Sequence, residues 1–164
     1  MNKPIFIVMG VSGTGKTTIG QLLSKSYDVP FFDGDDYHPK ENIVKMSSGE
    51  ALDDNDRQGW LESLNKLAIE QAKSGAIIAC SALKEKYRLI LQNNIEEQMV
   101  FVYLKGTFEQ VKRRLEQRKG HFMSSVLLQS QFDTLEEPID AIVVSIQATP
   151  QDIIAKIKDQ YKLN

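Results

Sequence analysis

The sequence predicts an α/β fold in which a parallel sheet is covered by helices on both faces. Short apolar runs alternate along the chain with longer segments of helical periodicity. The runs are continuously apolar, as strands buried on both faces are, and the alternation implies right-handed crossovers between parallel strands. The predicted strands span 5–9, 29–32, 76–80, 99–104 and 141–144, and the predicted helices span 16–26, 55–73, 84–93, 108–119 and 150–161.

Two helix starts are marked by capping residues. Thr107 and Gln110 fit a capping box, and Gly120 is placed to end that helix. Thr149 puts a capping hydroxyl before Pro150 at the first helical position. Because ligands bind at the carboxyl ends of the strands in such sheets, we expect the chemistry in the loops that follow them.

Composition excludes several classes of protein. The 164 residues amount to one domain, and 20 Lys and Arg against 22 Asp and Glu give a net charge of −2, which argues against a basic nucleic-acid binder. The single cysteine, Cys80, excludes an internal disulfide, and we expect it to be a buried core residue. No apolar run reaches the roughly 18 residues of a membrane span. We therefore expect one domain over 1–164, in the cytoplasm, without nucleic-acid or membrane partners.

A glycine-rich loop between the first strand and the first helix carries the strongest signal. It matches the phosphate-binding pattern G-x-x-x-x-G-K-[ST] in the context that supports it. The glycines let several backbone N–H groups point into one concavity, and the helix adds the positive end of its dipole. The lysine offers a charge to the β- and γ-phosphates, and Thr17 offers a hydroxyl to Mg²⁺. We assign nucleoside triphosphate binding to Gly10, Val11, Ser12, Gly13, Thr14, Gly15, Lys16, Thr17 and Thr18.

Two carboxylates follow the second predicted strand. Alternation puts Asp33 and Asp35 on one side, with Gly34 leaving space between them. One would hold Mg²⁺ through water and the other would accept a proton from an attacking hydroxyl. The third strand ends in Ser81-Ala82-Leu83 without an acid, which argues against a motor ATPase, and no Asp reads guanine after Asn65-Lys66.

From the loop to about Pro138, the chain resembles the small P-loop gluconokinases. The resemblance rests on these segments in addition to Asp33-Gly34-Asp35: His38-Pro39-x-x-Asn42-x-x-Lys45-Met46, Ser48-Gly49-Glu50-Ala51-Leu52-x-Asp54-x-Asp56-Arg57-x-x-Trp60-Leu61, Cys80-Ser81-Ala82-Leu83-Lys84-x-x-Tyr87-Arg88, Tyr103-Leu104-Lys105-Gly106, Arg118-Lys119-Gly120-His121-Phe122 and Gln131-Phe132-x-Thr134-Leu135-Glu136-x-Pro138. It implies the strand order 2-3-1-4-5 of shikimate and nucleoside monophosphate kinases. It also implies phosphorylation of D-gluconate at its 6-hydroxyl by ATP with Mg²⁺, and a homodimer.

The resemblance also suggests roles for individual residues. Asp35 is expected to be the base and Asp33 to hold the metal through water, while Lys16 and Arg118 stabilise charge on the phosphoryl group. Arg114 is expected beside the adenine. The lid is expected at about 118–131 and the acceptor-binding region at about 35–62. The gluconate carboxylate and hydroxyls would be bound from Asp35, His38, Asn42, Lys45, Arg57, Lys84, Tyr87, Arg88, His121 and Gln131.

Three alternatives stay open at this point. The acceptor is gluconate or another small sugar acid or polyol. The chain is a kinase or, less in keeping with its paired carboxylates, a nucleotide-dependent switch without a metabolite acceptor. The division of labour between Asp33 and Asp35 is less certain than the importance of the pair.

Overall fold

The computed structural model describes residues 3–118 and 124–162, and these form five strands and seven α-helices. Within the described ranges, no helix has the length and apolar character needed to cross a membrane. The strands are β1 (Ile5–Met9), β2 (Phe31–Asp33), β3 (Ala76–Ala79), β4 (Met99–Lys105) and β5 (Ile142–Ser145). The helices are α1 (Lys16–Tyr27), α2 (Lys40–Ser47), α3 (Asp54–Glu70), α4 (Glu85–Gln92), α5 (Phe108–Gln117), α6 (Ser125–Thr134) and α7 (Pro150–Lys162).

All five strands form one parallel sheet with the order β2-β3-β1-β4-β5, which confirms the predicted order. β1 lies at the centre, with Ile5 opposite Ala76 of β3 and Met99 of β4. Every residue of β1 is buried, as its continuously apolar sequence predicts. The order brings the carboxyl ends of β1, β2 and β3 together at one edge of the sheet.

Two apolar cores lie on opposite faces of the sheet. Ile5, Ile7 and Met9 of β1 pack in the core formed with α3 and α4. Phe6 and Val8 point the other way, into the core formed with α1, α5 and α7. This alternation along one strand explains why both faces need a helical cover.

The two predicted helix caps are present in the structure, but three short elements were not predicted. The Thr107–Gln110 capping box is present in both directions, and Thr149 Oγ1 accepts from the Asp152 N–H at 3.2 Å. Gly120 lies outside the described residues. Sequence analysis missed α2, α6 and a 3₁₀ helix at Gly34–Tyr37. α2 and α6 each bury a single residue, so their sequences lack the apolar stripe that identifies a helix.

Gly34 connects β2 to the 3₁₀ helix where the chain passes close to β3. A Cβ atom at this position would lie 2.4 Å from the Ala79 carbonyl oxygen and 3.3 Å from Leu64 Cδ1. The Gly34 carbonyl in turn accepts a hydrogen bond from the buried Trp60 indole at 2.7 Å. Only a residue without a side chain fits between these neighbours.

We expect Gly34→Ala to lower the free energy of unfolding by about 1 to 3 kcal/mol, because its methyl group would overpack the end of β3. The matched control is Gly59→Ala in α3, where a Cβ meets nothing within 4 Å. That substitution is expected to stabilise the protein by about 1 kcal/mol through helix propensity. Chemical denaturation of both variants checks this. Equal effects of the two changes would contradict the close approach at Gly34.

Candidate active site

The glycine-rich loop joins β1 to α1 in the conformation its sequence predicts. Gly10, Gly13 and Gly15 have φ values of 142°, 83° and 94°, which side chains disfavour. The Thr14 hydroxyl donates to the Val11 carbonyl at 2.9 Å and closes the loop. Gly15 caps α1 and has no side chain to bind the first N–H groups of the helix, which suits an anion-binding site.

Lys16 lies at the centre of the charged groups of the site. Its Nζ donates to the carbonyls of Gly10 and Val11, each at 2.9 Å. Burial lowers the pKa of Lys16, Asp35 and Asp33 act in the opposite direction, and Arg118 lowers it further. Two carboxylates, at the end of β2 and in the turn after it, and the guanidinium at the end of α5 are therefore close enough to Lys16 to influence its charge.

Asp33 and Asp35 differ in their surroundings. Asp33 ends β2, and its Oδ1 accepts from the Asp35 N–H at 3.0 Å, so this carboxylate also caps the 3₁₀ helix. The side chain of Asp35 keeps 85% of its surface exposed. Desolvation at the cleft and the Asp33 carboxylate raise the pKa of Asp35, while Lys16 lowers it. A raised carboxyl pKa makes the carboxylate a better proton acceptor.

His38 is packed beneath Asp35. Its ring stacks on Trp60 with centroids 4.1 Å apart, and the side chain is only 4% exposed. The Asn42 amide, itself buried, lies 3.2 Å from His38 Nδ1 and donates to the Asp56 carbonyl at 2.8 Å. Asn42 therefore holds His38 in place.

A network around Asp54 holds the predicted cations at the start of α4. Asp54 accepts from Lys84 Nζ at 3.1 Å and also from Lys86 and the Tyr87 hydroxyl. These three donors lower the pKa of Asp54 well below its usual range. The Tyr87 hydroxyl also accepts from Arg57 Nη1 at 3.0 Å. Both lysines thus share one carboxylate, and the Tyr87 hydroxyl fixes one edge of the Arg57 guanidinium.

Two further predicted ligands are engaged within the protein. Arg88 is 7% exposed, and its guanidinium donates to the Ala82 carbonyl at 2.7 Å and the Glu136 carbonyl at 2.9 Å. The Arg88 side chain therefore joins the β3–α4 loop to the segment after α6, and its role in substrate binding stays a prediction. Lys45 pairs with Asp56 at 2.7 Å.

Five of the ten predicted nucleotide-binding residues line a cavity of about 330 Å³: Gly13, Thr14, Gly15, Thr18 and Arg114. Gly13, Gly15 and Thr18 form one wall, and Arg114 and Arg118 form another. The Arg114 guanidinium donates to the carbonyls of Thr14 and Ile146, so it bridges the glycine-rich loop and the loop before α7. This places a planar cation beside the glycine-rich loop.

A second cavity, of about 220 Å³, lies between α3 and α6 and includes Arg57, Leu52 and Gln131. Gln131 joins this cavity to the glycine-rich loop, because its Oε1 accepts from the Ser12 N–H at 2.7 Å and its Nε2 donates to Ser12 Oγ at 3.0 Å. A larger opening of about 840 Å³ beside α5 and α6 contains Lys84 but no residue of the glycine-rich loop. The 220 Å³ cavity has no residue of that loop in its lining either, but Gln131 bonds it to Ser12. We therefore take the cavities of 330 and 220 Å³ as the candidate active site.

Comparisons with known proteins identify the family of this chain. The family model for shikimate kinase matches residues 12–162. The chain is 41% identical over 157 residues to the thermoresistant gluconokinase of Escherichia coli, covering 92% of this chain and 89% of that protein. The chain belongs to the gluconokinase family.

Two solved structures are similar to this chain in both fold and sequence. A gluconokinase from Sinorhizobium meliloti is 34% identical, with a TM-score of 0.87 over 98% of this chain and 97% of that one. A sugar kinase from Janibacter is 38% identical, with a TM-score of 0.90 over 98% and 95% of the two chains. These similarities confirm the predicted family and fold.

The donor set at this edge of the sheet fits Mg²⁺. The hydroxyl of Thr17, exposed in the first turn of α1, and the carboxylate of Asp33 are the oxygen ligands that Mg²⁺ prefers. Within the described ranges, no group of three or more His, Cys, Asp or Glu side chains is placed to hold a metal ion by itself. Mg²⁺ in kinases takes its remaining ligands from phosphates and water, so one or two protein ligands suffice.

Sequence analysis gave no role to several residues that support the site. Trp60 appears in the family pattern without a stated role; it is buried, its indole binds Gly34 and its ring stacks on His38. Asp54 appears in the family pattern without a stated role. Of the lid expected at 118–131, residues 119–123 with His121 lie outside the described residues, and 125–131 belong to α6. Cys80 is buried as expected, and burial raises the pKa of its thiol to about 12.

We expect His38 to make stability depend on pH. Burial and the nearby charge of Arg57 lower the pKa of His38 from 6.5 to about 4. Between these values the unfolded chain binds a proton that the folded chain does not, so the free energy of unfolding falls as the pH is lowered through this window. The slope approaches about 1.4 kcal/mol per pH unit, the limit for one proton.

Denaturation of the native chain and of His38→Phe at pH 6.5, 5.5 and 4.5 measures this contribution, because other groups cancel in the comparison. Between pH 6.5 and 5.5, we expect the free energy of unfolding of His38→Phe to change with pH less than half as steeply as that of the native chain. Parallel curves for the two proteins would mean that His38 titrates normally when folded.

Proposed function

We propose that this protein transfers the γ-phosphoryl group of ATP to the 6-hydroxyl of D-gluconate, giving 6-phospho-D-gluconate and ADP. The observation that carries the proposal is the second cavity, in which Gln131 is bonded to the glycine-rich loop and Arg57 presents a positive charge. This is where an acidic acceptor would meet bound ATP. Identity of 41% to a gluconokinase supports gluconate as that acceptor.

On the acceptor side, Asp35 orients the 6-hydroxyl and takes its proton as the oxygen attacks the γ-phosphorus. The bond from that phosphorus to the β,γ-bridging oxygen breaks, and ADP leaves with the bonding electrons. Asp35 suits this role because its carboxylate is exposed and close enough to Lys16 to shift the pKa of that residue. The positions of the carboxylates relative to the loop therefore support Asp35 as base.

On the phosphate side, Lys16 and Arg118 stabilise charge on the transferring group. Lys16 Nζ binds two loop carbonyls here, and bound phosphate oxygens would replace these neutral partners with charged ones. Mg²⁺, held by Thr17 and through water by Asp33, would neutralise charge on the β- and γ-phosphates. Closure of a lid over 118–131 would exclude water, which otherwise competes as acceptor.

Arg57 is the residue that we propose for the gluconate carboxylate. In the described part of the chain, Lys45, Lys84 and Lys86 each pair with an aspartate, whereas no carboxylate lies within 4 Å of the Arg57 guanidinium. Its partner is the Tyr87 hydroxyl. An arginine with a free edge can bind a carboxylate through two parallel hydrogen bonds. A homodimer in the cytoplasm completes the proposal, on the family resemblance alone.

ADP release from Mg·ATP tests this function with D-gluconate, shikimate, glucose, AMP or no acceptor. We expect stimulation by gluconate alone. Lys16→Ala is the control and should lose transfer by about 10² or more, because the loop then lacks its charge on the transferring phosphoryl group. Stimulation by a different acceptor would keep the kinase but reject gluconate. Nucleotide binding without stimulation by any acceptor would favour the switch.

Arg57→Ala and Arg88→Ala separate substrate binding from structural support. We expect Arg57→Ala to raise the KM for gluconate by about 10- to 100-fold, as loss of a charge-assisted pair does, with little change in the KM for ATP. Arg88→Ala leaves two carbonyls without a donor and should cost about 2 kcal/mol of stability or more. Steady-state kinetics and denaturation of both variants check this. A KM effect confined to Arg88→Ala would reverse the two assignments.

A further inference from the structure

The His38 ring is held on two sides and presents its remaining nitrogen to Asp35. One face stacks on Trp60 at an interplanar angle of 17°. The Nδ1 atom lies 3.2 Å from the Asn42 amide nitrogen, and Nε2 lies 3.9 Å from Asp35 Oδ1. A core histidine needs only packing, whereas this one has both nitrogens directed at specific polar partners.

The neighbours of Asn42 determine which nitrogen of His38 carries the proton. The Asp56 carbonyl, 2.8 Å from Asn42 Nδ2, can only accept, so the amide must turn its NH₂ group toward it. The same nitrogen faces His38 Nδ1 and donates there as well. Nδ1 is therefore the acceptor, and in the neutral ring the proton lies on Nε2, the atom that faces Asp35.

Burial keeps the ring neutral near pH 7, because it lowers the pKa of His38 to about 4. The imidazole therefore offers Asp35 a dipolar N–H rather than a positive charge. A neutral donor restrains a carboxylate without removing its capacity to accept another proton. A salt bridge to a cation would hold the carboxylate but make it a weaker base.

We propose that His38 is a positioning residue for Asp35: its Nε2–H holds Oδ1 so that the other carboxylate oxygen faces the acceptor hydroxyl. The inference rests on the proposed role of Asp35 as base. The 3.9 Å separation exceeds the roughly 2.9 Å of an N–H···O hydrogen bond. Hydrogen bonds of this kind are often long without substrate and tighten in the reactive complex.

His38→Phe and His38→Gln test the N–H separately from the ring. Phe keeps an aromatic ring on Trp60 but has no donor, and Gln lacks the stack but restores an N–H. We expect His38→Phe to lower kcat by about 10- to 100-fold, the effect of one lost hydrogen bond to a charged group, with the KM for ATP unchanged. His38→Gln should recover part of that loss. Full activity of His38→Phe, or no recovery with Gln, would overturn the proposal.

The substitution His38→Phe in an Asp35→Asn background distinguishes positioning of Asp35 from general structural support. If His38 acts through Asp35, His38→Phe should change the residual kcat by less than about twofold there. If the two losses multiply, His38 does not act through Asp35, while the role of Asp35 itself stands. Near-native kcat for Asp35→Asn alone would reject both the proposed base and the residue that positions it.

Nitrogen NMR of the intact protein reports the tautomer without relying on a variant that folds well. The chain has two histidines, so the signal missing from His38→Phe identifies the ring. We expect a neutral imidazole with its proton on Nε2 at pH 7. Asn42→Asp places an acceptor beside Nδ1 and should move the proton there, with a loss of kcat. A proton on Nδ1 in the native chain would overturn the proposal.

Discussion

The acceptor half of the site depends on the close approach of Gly34 to the end of β3. The Ala79 carbonyl occupies the space where a side chain at Gly34 would begin, and the Trp60 indole binds the Gly34 carbonyl from α3. The turn is thus fixed by two neighbouring elements at once. Asp33 and Asp35 lie on either side of it, so their positions relative to the glycine-rich loop follow from the packing of α3 against the sheet.

Trp60 links this packing to the chemistry. One ring binds the turn through its N–H and supports His38 through its face, and His38 in turn faces Asp35. Because protein interiors are closely packed, a change in the α3 core reaches the proposed base through rigid contacts rather than through a mobile loop. Small misplacements of a reacting carboxylate reduce the rate strongly. Buried aromatic packing would limit such misplacements of the proposed base.

The sequence predicts the phosphate half of the site better than the acceptor half. The loop from Gly10 to Thr17 is local, so its glycines and the adjoining strand and helix specify its conformation without distant partners. Arg88 shows the opposite case, because its partner carbonyl at Glu136 lies 48 residues away and no local pattern reveals it. A basic residue near a strand end therefore looks like a ligand from the sequence, whereas the structure shows it joining two loops.

The cations around the candidate acceptor cavity differ in their partners. Asp54 pairs with both Lys84 and Lys86, Asp56 pairs with Lys45, and loop carbonyls accept from Arg88. Arg57 contacts the uncharged Tyr87 hydroxyl, and that hydroxyl donates to Asp54. Tyr87 therefore orients the guanidinium without cancelling its charge. Under the proposed function, the carboxylate of an acidic acceptor would gain a charge-assisted pair at Arg57, whereas a neutral sugar would leave the guanidinium without a carboxylate partner.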